Sequence, residues 1–364
     1  MSTYHACVDA KAFSEALMDV SRFAAGESSL PVLSEAMVRF DGSHCVLTCT
    51  NLYQWCTATI PATGDAFAFV FTKTKRVLTA CRYFAGTLEL TFSNKPNDRT
   101  PDPDGVIELS DGTHSLQRGT MPASDFPSFP AVSFEDRYDI CAGHLLERFK
   151  RIRYALSTDM NRKPRCCIEF LDTRIAAVDG YRLAFNHDPA LSVKTPFLIP
   201  PEAMAALEIF RKRPCTLSVG KMWACFENET LLLLTRIPEK DSFEIDQSIP
   251  PDLGMECPVS VNTLWAQVKY LSDLSNAKEK KPVRFDGKTL VLETSDGTYS
   301  TQVGLPPIPV RGFNLRYLLE GLSQFKAKKA DTVTMKVGTP VSPLILTDGE
   351  DELAMILPVR LKAA

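Results

Sequence analysis

The sequence lacks the signatures of the common catalytic and metal sites. Its 364 residues contain no GxxxxGK[ST], GxGxxG, HExxH or GxSxG motif. None of its five histidines has a metal-ligand spacing to another histidine or to a cysteine. Asp179 and Glu169 are isolated carboxylates, and Asp179-Gly180 is typical of a hairpin corner. We therefore expect no enzyme activity and no cofactor, and an enzyme with a dispersed site is the alternative.

Disulfide, membrane and export signals are also missing. The eleven cysteines include no CxxC pair, which favours buried small hydrophobic residues in a reducing compartment. No apolar run approaches the roughly 20 residues that span a bilayer. The N-terminus, Met1-Ser2-Thr3-Tyr4-His5, lacks the basic start and apolar core of a signal peptide. These absences predict a cytoplasmic protein.

What the sequence does contain is a repeated segment. Val-Arg-Phe-Asp-Gly occurs at 38–42 and again at 283–287, each time followed by a second strand pattern. An apolar residue followed by Asp-Gly favours a strand that ends in a tight turn, because glycine accepts positive φ and aspartate bonds its own backbone. Each copy therefore predicts a hairpin, and the two copies together predict an internally repeated architecture.

Weaker landmarks extend the repeat to three copies. A third hairpin is predicted where Cys167–Asp172 turns into Arg174–Gly180. Matching strands begin at Thr87, Thr216 and Thr332, and apolar-Pro pairs close each copy at Met121-Pro122, Ile237-Pro238 and Leu357-Pro358. Three copies of about 120 residues suit the usual domain size. We predict three domains of one fold, at 1–130, 131–254 and 255–364.

Each repeat is expected to contain two helices among many strands. The first helix of each repeat shows helical spacing of its apolar residues, as at Phe13, Leu17 and Val20. The second helix is predicted at 73–84, at 201–213 and at 314–329 in successive repeats. The six helices carry a net charge of +10, which leaves −13 for the remainder because the whole chain is −3. If the helices lie on one face of the protein, the positive charge of that face attracts phosphates. The alternative explanation of the charge is that Lys and Arg are simply good helix formers.

Several ordered motifs resemble those of the bacterial sliding clamps, the beta subunits of DNA polymerase III. The motifs are Leu30-Pro31-Val32-Leu33, Ser124-Asp125-Phe126-Pro127, Asp179-Gly180-Tyr181-Arg182-Leu183, Gly312-Phe313-Asn314 and Leu357-Pro358-Val359-Arg360-Leu361. Each is short, but together they follow the order of the family over nearly the full length. A sequence-specific DNA reader is a poorer explanation, because we find neither a recognition helix nor a zinc finger.

The resemblance implies an α+β fold of three DNA-clamp domains, each with two helices packed on antiparallel sheets. Two subunits would form a head-to-tail homodimeric ring around duplex DNA, without reading bases. The ring would tether the replicative polymerase, the clamp loader and repair proteins through their short linear motifs, which raises polymerase processivity. It would have no catalytic activity and would act on the nucleoid in the cytoplasm. A non-specific DNA-binding or scaffold protein of the same fold is the alternative.

The resemblance also implies three sets of site residues. The pocket for a partner peptide would contain Gly180, Tyr181, Arg182, Leu183, Phe243, Val341, Pro343, Met355, Leu357, Pro358, Val359, Arg360 and Leu361, with Arg182 and Arg360 at its rim. The DNA-facing residues would be Lys73, Lys75, Arg82, Arg148, Arg151, Lys212, Arg316 and Lys326. The dimer interface would join Leu116 and Arg118 of one subunit to Tyr270 and Leu271 of the other.

Three positions depart from the family pattern. Glu27 stands where a basic residue often precedes the Leu-Pro-x-Leu motif, and Tyr181 stands where histidine is common. Lys362-Ala363-Ala364 extends beyond the usual Arg-Leu end. We therefore expect no DNA contact from Glu27, and the alternatives for the extension are that it crowds the predicted partner site or that it is simply mobile.

Overall fold

One order of elements occurs three times along the chain. The computed structural model describes residues 2–26, 28–94, 105–211, 213–241, 243–275, 281–349 and 351–361. Within them, each series has one strand, a helix, four strands, a second helix and three strands. The predicted pair of helices among many strands is thus present in each series, and the α+β prediction is confirmed.

The first series contains β1 (Thr3–Asp9), α1 (Ala10–Ser21), β2 (Met37–Asp41), β3 (His44–Thr50), β4 (Gln54–Gly64), β5 (Ala66–Phe71), α2 (Thr74–Cys81), β6 (Thr87–Asn94), β7 (Gly105–Ser110) and β8 (Ser115–Met121). The second contains β9 (Asp136–Cys141), α3 (Ala142–Ile152), β10 (Ile168–Asp172), β11 (Arg174–Val178), β12 (Arg182–His187), β13 (Val193–Ile199), α4 (Pro201–Ala206), β14 (Pro214–Val219), β15 (Trp223–Glu227) and β16 (Leu231–Arg236).

A short helix, α5 (Ile245–Ser248), precedes the third series. That series contains β17 (Met255–Ser260), α6 (Val261–Leu274), β18 (Val283–Phe285), β19 (Thr289–Glu293), β20 (Thr298–Gln302), β21 (Arg311–Phe313), α7 (Leu315–Ala327), β22 (Thr332–Val337), β23 (Leu344–Thr347) and β24 (Glu352–Ile356). Among the described residues, none of the helices has the length and apolar character needed to cross a membrane.

The chain folds into two compact units. The first unit, Met1–Cys141 with Glu208–Ile237, contains one antiparallel sheet in the order β1-β6-β7-β8-β5-β2-β3-β4-β16-β15-β14-β9, in which β1 also pairs with β4. The second unit, Ala142–Leu207 with Pro238–Ala364, contains a sheet in the order β13-β10-β11-β12-β24-β23-β22-β17 and a smaller sheet, β20-β19-β18-β21. In each unit the third strand after a helix, β4 or β12, pairs with the last strand of the following series.

Apolar residues at helical spacing fix the helices to the sheets. Phe13, Leu17 and Val20 of α1 are fully buried, as are Leu322 and Phe325 of α7. All three second helices are shorter than predicted, and α7 differs least. Helix α2 begins at Thr74 because Lys73 has φ 59, outside the helical region. Helix α4 ends at Ala206 and continues only as a 3₁₀ turn at Leu207–Phe210.

The predicted hairpins are present, and in the two Val-Arg-Phe-Asp-Gly copies the aspartate caps the turn. Asp41 Oδ1 accepts the backbone N–H of Ser43 at 2.9 Å and of His44 at 2.7 Å, next to Gly42 at φ 101. Asp286 Oδ1 accepts the N–H of Thr289 at 2.7 Å in the later copy. These bonds stabilise the charged carboxylate, so the pKa of Asp41 falls from 3.8 to about 2 and the pKa of Asp286 is also lowered.

We therefore expect the Asp41 turn to lose stability on acidification. The folded pKa lies below the unfolded value, so its contribution is complete above pH 3.8 and is lost as the pH falls towards 2. Asp41→Asn should lower the melting temperature at pH 7, and the difference from the wild type should shrink towards pH 2. Asp331→Asn is the control, because the Asp331 carboxyl accepts no hydrogen bond from the described residues. A difference that is constant with pH would contradict this assignment.

Eight of the eleven cysteines are buried. Burial raises the pKa of the Cys81, Cys167 and Cys225 thiols to about 12. The interpretation of these cysteines as small core residues is therefore confirmed for most of them. Among the described residues, no group of His, Cys, Asp and Glu could hold a metal ion.

Candidate functional site

The turn between β11 and β12 forms one wall of the predicted peptide pocket. Asp179 Oδ1 accepts the backbone N–H of Tyr181 at 2.8 Å and of Arg182 at 3.0 Å, and Gly180 adopts φ 92. This geometry turns the Tyr181 side chain outwards, where 64% of it is exposed. The Tyr181 carbonyl accepts the N–H of Leu357 at 2.9 Å, which fixes the segment after β24 against the turn.

An apolar cluster lies beneath this wall. Leu183 and Met355 face each other across β12 and β24, and both are buried in one cluster with Ile345. Phe243 packs against the cluster from the loop before α5. Beyond β24 the chain leaves the core, so that Leu357 is 36% exposed and Val359 is 42% exposed. Buried apolar residues with exposed apolar residues beside them offer a preformed surface for the apolar anchors of a peptide.

The remaining pocket residues lie on the segments around β21. Val359 donates its N–H to the Gly312 carbonyl at 2.8 Å. Arg311, which is buried, donates from Nη2 to the Gly338 carbonyl at 2.7 Å and so positions the loop that carries Val341, 83% exposed. Pro343 is buried, Pro358 and Leu361 are half-buried, and Arg360 is exposed.

Arg182 does not lie at the pocket rim, and this prediction is wrong. Only 6% of Arg182 is exposed, and its guanidinium lies 4.1 Å from the centre of the Tyr317 ring. Its Nε bonds Asp179 at 2.8 Å, and Nη1 bonds Glu320. The buried Arg182 guanidinium therefore supports the turn from its buried side. Of Arg182 and Arg360, only Arg360 is exposed.

Arg165 is a pocket neighbour that the sequence did not reveal. Its guanidinium lies 4.6 Å from the centre of the Phe243 ring and 4.0 Å from Asp241. Its Nη1 lies 3.3 Å from the point where a Cβ on Gly180 would be. Arg165 follows Pro164 in a 3₁₀ segment. The one sequence signal that could have pointed to it is the basic cluster Arg162-Lys163-Pro164-Arg165.

Glu169 holds the Phe243 loop in place, so it is not isolated. Lys240 Nζ lies 3.4 Å from the buried Glu169 carboxylate and donates to the Phe243 carbonyl at 2.9 Å. Burial raises the pKa of Glu169, and Lys240 opposes that shift. This contact gives Glu169 a structural role beside the pocket.

The predicted DNA-facing residues fall into two groups. Lys73, Lys75 and Arg82, at helix α2, are exposed, and none forms an ion pair with another described residue. Arg148 and Arg151 of α3 are instead mostly buried: Arg148 pairs with Asp188 at 3.3 Å, and Arg151 Nη2 pairs with Glu352 at 2.9 Å. The structure therefore corrects the prediction for α3, because those charges are already neutralised by carboxylates.

Of the other predicted DNA-facing residues, two lie in helix α7 and one lies outside the residues that the structure describes. Arg316 is exposed but its Nε bonds Glu320 at 2.9 Å. Lys326 Nζ lies 3.2 Å from the centre of the Trp265 ring, within range of a cation–π contact. Lys212, Glu27 and the segment 362–364 lie outside the described residues.

The predicted dimer residues differ in exposure. In β8, Leu116 and Arg118 pair with β7, whereas β5 pairs only with Thr120 and Met121, so this part of β8 is a sheet edge among the described strands. Tyr270 is 48% exposed. Leu271 is fully buried in the core beneath α6, because one helical step moves the side chain to the other face. The Leu271 prediction is therefore wrong for its side chain.

Comparisons with known proteins agree on one fold. No protein-family model matches the chain. The beta sliding clamp of Vibrio cholerae is 19% identical over 95% of this chain and 96% of its own length, and that of Synechococcus elongatus is 22% identical over 74% of this chain and 79% of its own. Crystal structures of the C. crescentus beta sliding clamp (19% identical, TM-score 0.84) and of the Pseudomonas aeruginosa DNA polymerase III subunit beta (16% identical, TM-score 0.83) cover 99% and 98% of this chain and 100% of their own chains. The chain has this fold over its full length.

Proposed function

We infer that this chain is a DNA sliding clamp of the DNA polymerase III beta-subunit type. The observation that carries the inference is the clamp fold over the full length, with the same element series three times. Such a protein has no catalytic step to perform, since it works by encircling DNA and holding other proteins near it. Tethering makes each re-encounter between polymerase and template intramolecular, which raises the effective concentration. Its place is on the chromosome, in the cytoplasm.

The three series correspond to three domains of one fold, which we place at 1–130, 131–254 and 255–364. Two chains joined head to tail then give a ring of six such domains. A closed ring has no free heterologous surface left, so assembly stops at the dimer. The ring holds DNA by its topology, and no tight contact to any base is needed.

The edge of β8 supports the dimer proposal. Arg118 Nε is buried and has no hydrogen-bond partner among the described residues. An unpaired edge with an unsatisfied donor suits the addition of a strand from a second chain. We place Tyr270 of the second chain opposite this edge.

We expect Leu116→Asp to convert the dimer into monomer. Leu116 is half-buried at the edge, and a carboxylate there would be desolvated in the interface. Sedimentation velocity at micromolar concentration measures the change. Gln117→Asp is the matched control, because alternate side chains of a strand point to opposite faces and Gln117 is exposed. Equal dimer fractions in both variants would place the interface elsewhere.

Phosphate contacts are expected chiefly from α2. Lys73, Lys75 and Arg82 are exposed and form no ion pair with the described residues, so they can approach a DNA backbone without first breaking such a pair. Such contacts are weak, independent of sequence and sensitive to salt. Arg316 and Lys326 can contribute only by exchanging the contacts they make in α7.

The test is retention of the loaded protein on nicked circular DNA and on linear DNA of the same length. A ring stays on the circle and slides off the line. Lys75→Glu with Arg82→Glu should shorten retention on the circle and flatten its salt dependence, with a slope smaller by about 0.9 per lost phosphate contact. Lys194→Glu, an exposed lysine outside the helices, is the control. Equal loss from circle and line would refute encirclement.

A further inference from the structure

A second turn of the same design lies in the first unit, between β3 and β4. Asn51 Oδ1 accepts the backbone N–H of Tyr53 at 3.0 Å and of Gln54 at 2.7 Å. The Tyr53 carbonyl accepts the N–H of Arg236, the last residue of β16, at 2.8 Å. The Tyr53 side chain is 67% exposed.

These contacts match those of the pocket wall in the second unit. There Asp179 caps the equivalent two N–H groups, Tyr181 is exposed to nearly the same extent, and its carbonyl accepts the N–H of Leu357. The strand pairing agrees, because β4 pairs with β16 as β12 pairs with β24. The first unit therefore repeats the framework that presents the predicted peptide pocket.

One residue differs in an informative way. Gly180 occupies the left-handed position of the second-unit turn, at φ 92, where glycine has no steric cost. The equivalent residue in the first unit is Leu52, at φ 71, with 45% of the side chain exposed. A leucine in this region strains the backbone, and an exposed leucine gains little burial to offset the strain. Neither the turn nor the buried core requires an apolar side chain at this position.

The end of β16 links a further exposed apolar residue to this turn. Met222 is 57% exposed, and its carbonyl accepts the N–H of Ile237 at 2.9 Å. Ile237 is the residue directly after β16. Beneath the turn, Trp55 and Leu234 belong to a buried apolar cluster, as Leu183 and Met355 do in the second unit. We call Leu52, Tyr53 and Met222 the Leu52 patch.

Two exposed basic residues adjoin the Leu52 patch. Arg236, bonded to Tyr53, and Lys221, next to Met222, are both exposed, and neither forms an ion pair with another described residue. An occupant with an acidic group beside its apolar anchors would complement these charges.

We propose that the Leu52 patch is a second protein-docking site, which takes an extended segment of a partner protein that carries Leu or Phe anchors and an acidic residue. The repeated framework supplies the shape, the strained Leu52 supplies an exposed anchor, and Arg236 and Lys221 supply the complementary charge. The proposal goes beyond the clamp function and does not require encirclement of DNA. The two sites share only the kind of peptide that they would bind, one with apolar anchors.

The test uses the full chain and a fluorescein-labelled peptide, Gln-Leu-Asp-Leu-Phe, in fluorescence anisotropy and calorimetry. We expect the wild type to show a weaker binding event beside the main one. Leu357→Asp, which disables the second-unit pocket, should remove the main event and leave the weaker one. Adding Leu52→Gly should then weaken the residual binding by about tenfold or more, as loss of a central anchor does.

Leu52→Gly also separates docking from folding. Glycine suits the positive φ, so the variant should melt at or above the wild-type temperature while it loses binding. Arg236→Glu should weaken the residual binding, and a peptide with Lys in place of Asp should bind Leu357→Asp more weakly than the original does.

Three results would overturn the proposal. The first is that Leu357→Asp shows no residual peptide binding. The second is that Leu52→Gly leaves the residual binding unchanged. The third is self-association that depends on Leu52 in sedimentation, because the occupant would then be a second copy of the chain. A wild type whose binding is removed by Leu52→Gly but not by Leu357→Asp would sustain this proposal and instead refute the pocket in the second unit.

Discussion

Replacement of Leu357 by aspartate is expected to abolish binding of a Gln-Leu-x-Leu-Phe-type peptide to the second-unit pocket. Leu357 is 36% exposed above the buried pair Leu183 and Met355, so a peptide anchor that enters here packs against it. A carboxylate would have to be desolvated by the same anchor. We expect a loss of about 2 kcal/mol or more, which is roughly thirtyfold in affinity.

Calorimetry with the peptide measures this loss. Met18→Asp is the matched control, since Met18 is also an exposed apolar residue, 45% exposed, but lies on α1 in the first unit. Met355→Gln should also abolish binding, although Met355 is 6% exposed and the change also disturbs the core. Sedimentation should show the dimer intact in Leu357→Asp. Unchanged affinity in Leu357→Asp would mean that the pocket lies elsewhere.

Replacement of Arg151 by alanine is expected to give the largest loss of stability. Arg151 Nε and Nη2 both lie 2.9 Å from Glu352 Oε1, and only 1% of Glu352 is exposed. Without the arginine the buried carboxylate loses its ion-pair partner, which costs about 3–5 kcal/mol. Arg151 therefore acts on the fold, and it would reach DNA only by abandoning Glu352.

The pH dependence of this variant identifies the cause. Burial already raises the pKa of Glu352, and loss of Arg151 removes the largest of the effects that oppose the shift, which leaves Gln324 and Lys328 to oppose it. The folded pKa of the carboxyl thus lies above the unfolded value, so the penalty is absent at low pH and grows as the pH rises through the folded pKa. Glu352→Gln added to Arg151→Ala should recover most of the lost stability. Lys150→Ala, an exposed neighbour, should change it by less than about 0.5 kcal/mol.

Thermal unfolding of the four proteins at pH 5 and pH 8 provides the measurement. A loss in Arg151→Ala that is the same at both values, or that Glu352→Gln does not reduce, would mean that the ion pair is not what stabilises this part of α3.

Local chemistry was predictable from the sequence. The Val-Arg-Phe-Asp-Gly hairpins form because aspartate caps the turn and glycine takes positive φ, and both requirements lie within five residues. The helix order was predictable for the same reason, since apolar spacing alone marks the buried face of α1 or α7. The peptide surface at Tyr181 and Leu357 followed only from the resemblance, since the residues come from strands far apart in the sequence.

Partners distant in the chain were not predictable. Arg182 and Arg360 occur in similar Arg-Leu contexts, but only Arg182 meets Tyr317 and Glu320, more than a hundred residues away. The net charge of α3 likewise gave no sign that Asp188 and Glu352 neutralise Arg148 and Arg151. Leu271 was misplaced because neighbouring helical residues lie on different faces, and only the packed core shows which face is covered.

Cutting a loaded circle tests the central claim most directly. The protein is loaded on a nicked circle, isolated on it, and followed by fluorescence while a restriction enzyme makes a single cut. If the chain encircles DNA, it stays on the uncut circle and is released after the cut, by sliding over the ends, and blocking both ends with bound protein restores retention. If instead the protein stays on the linear product with open ends, it is held by contacts with the DNA and not by a ring.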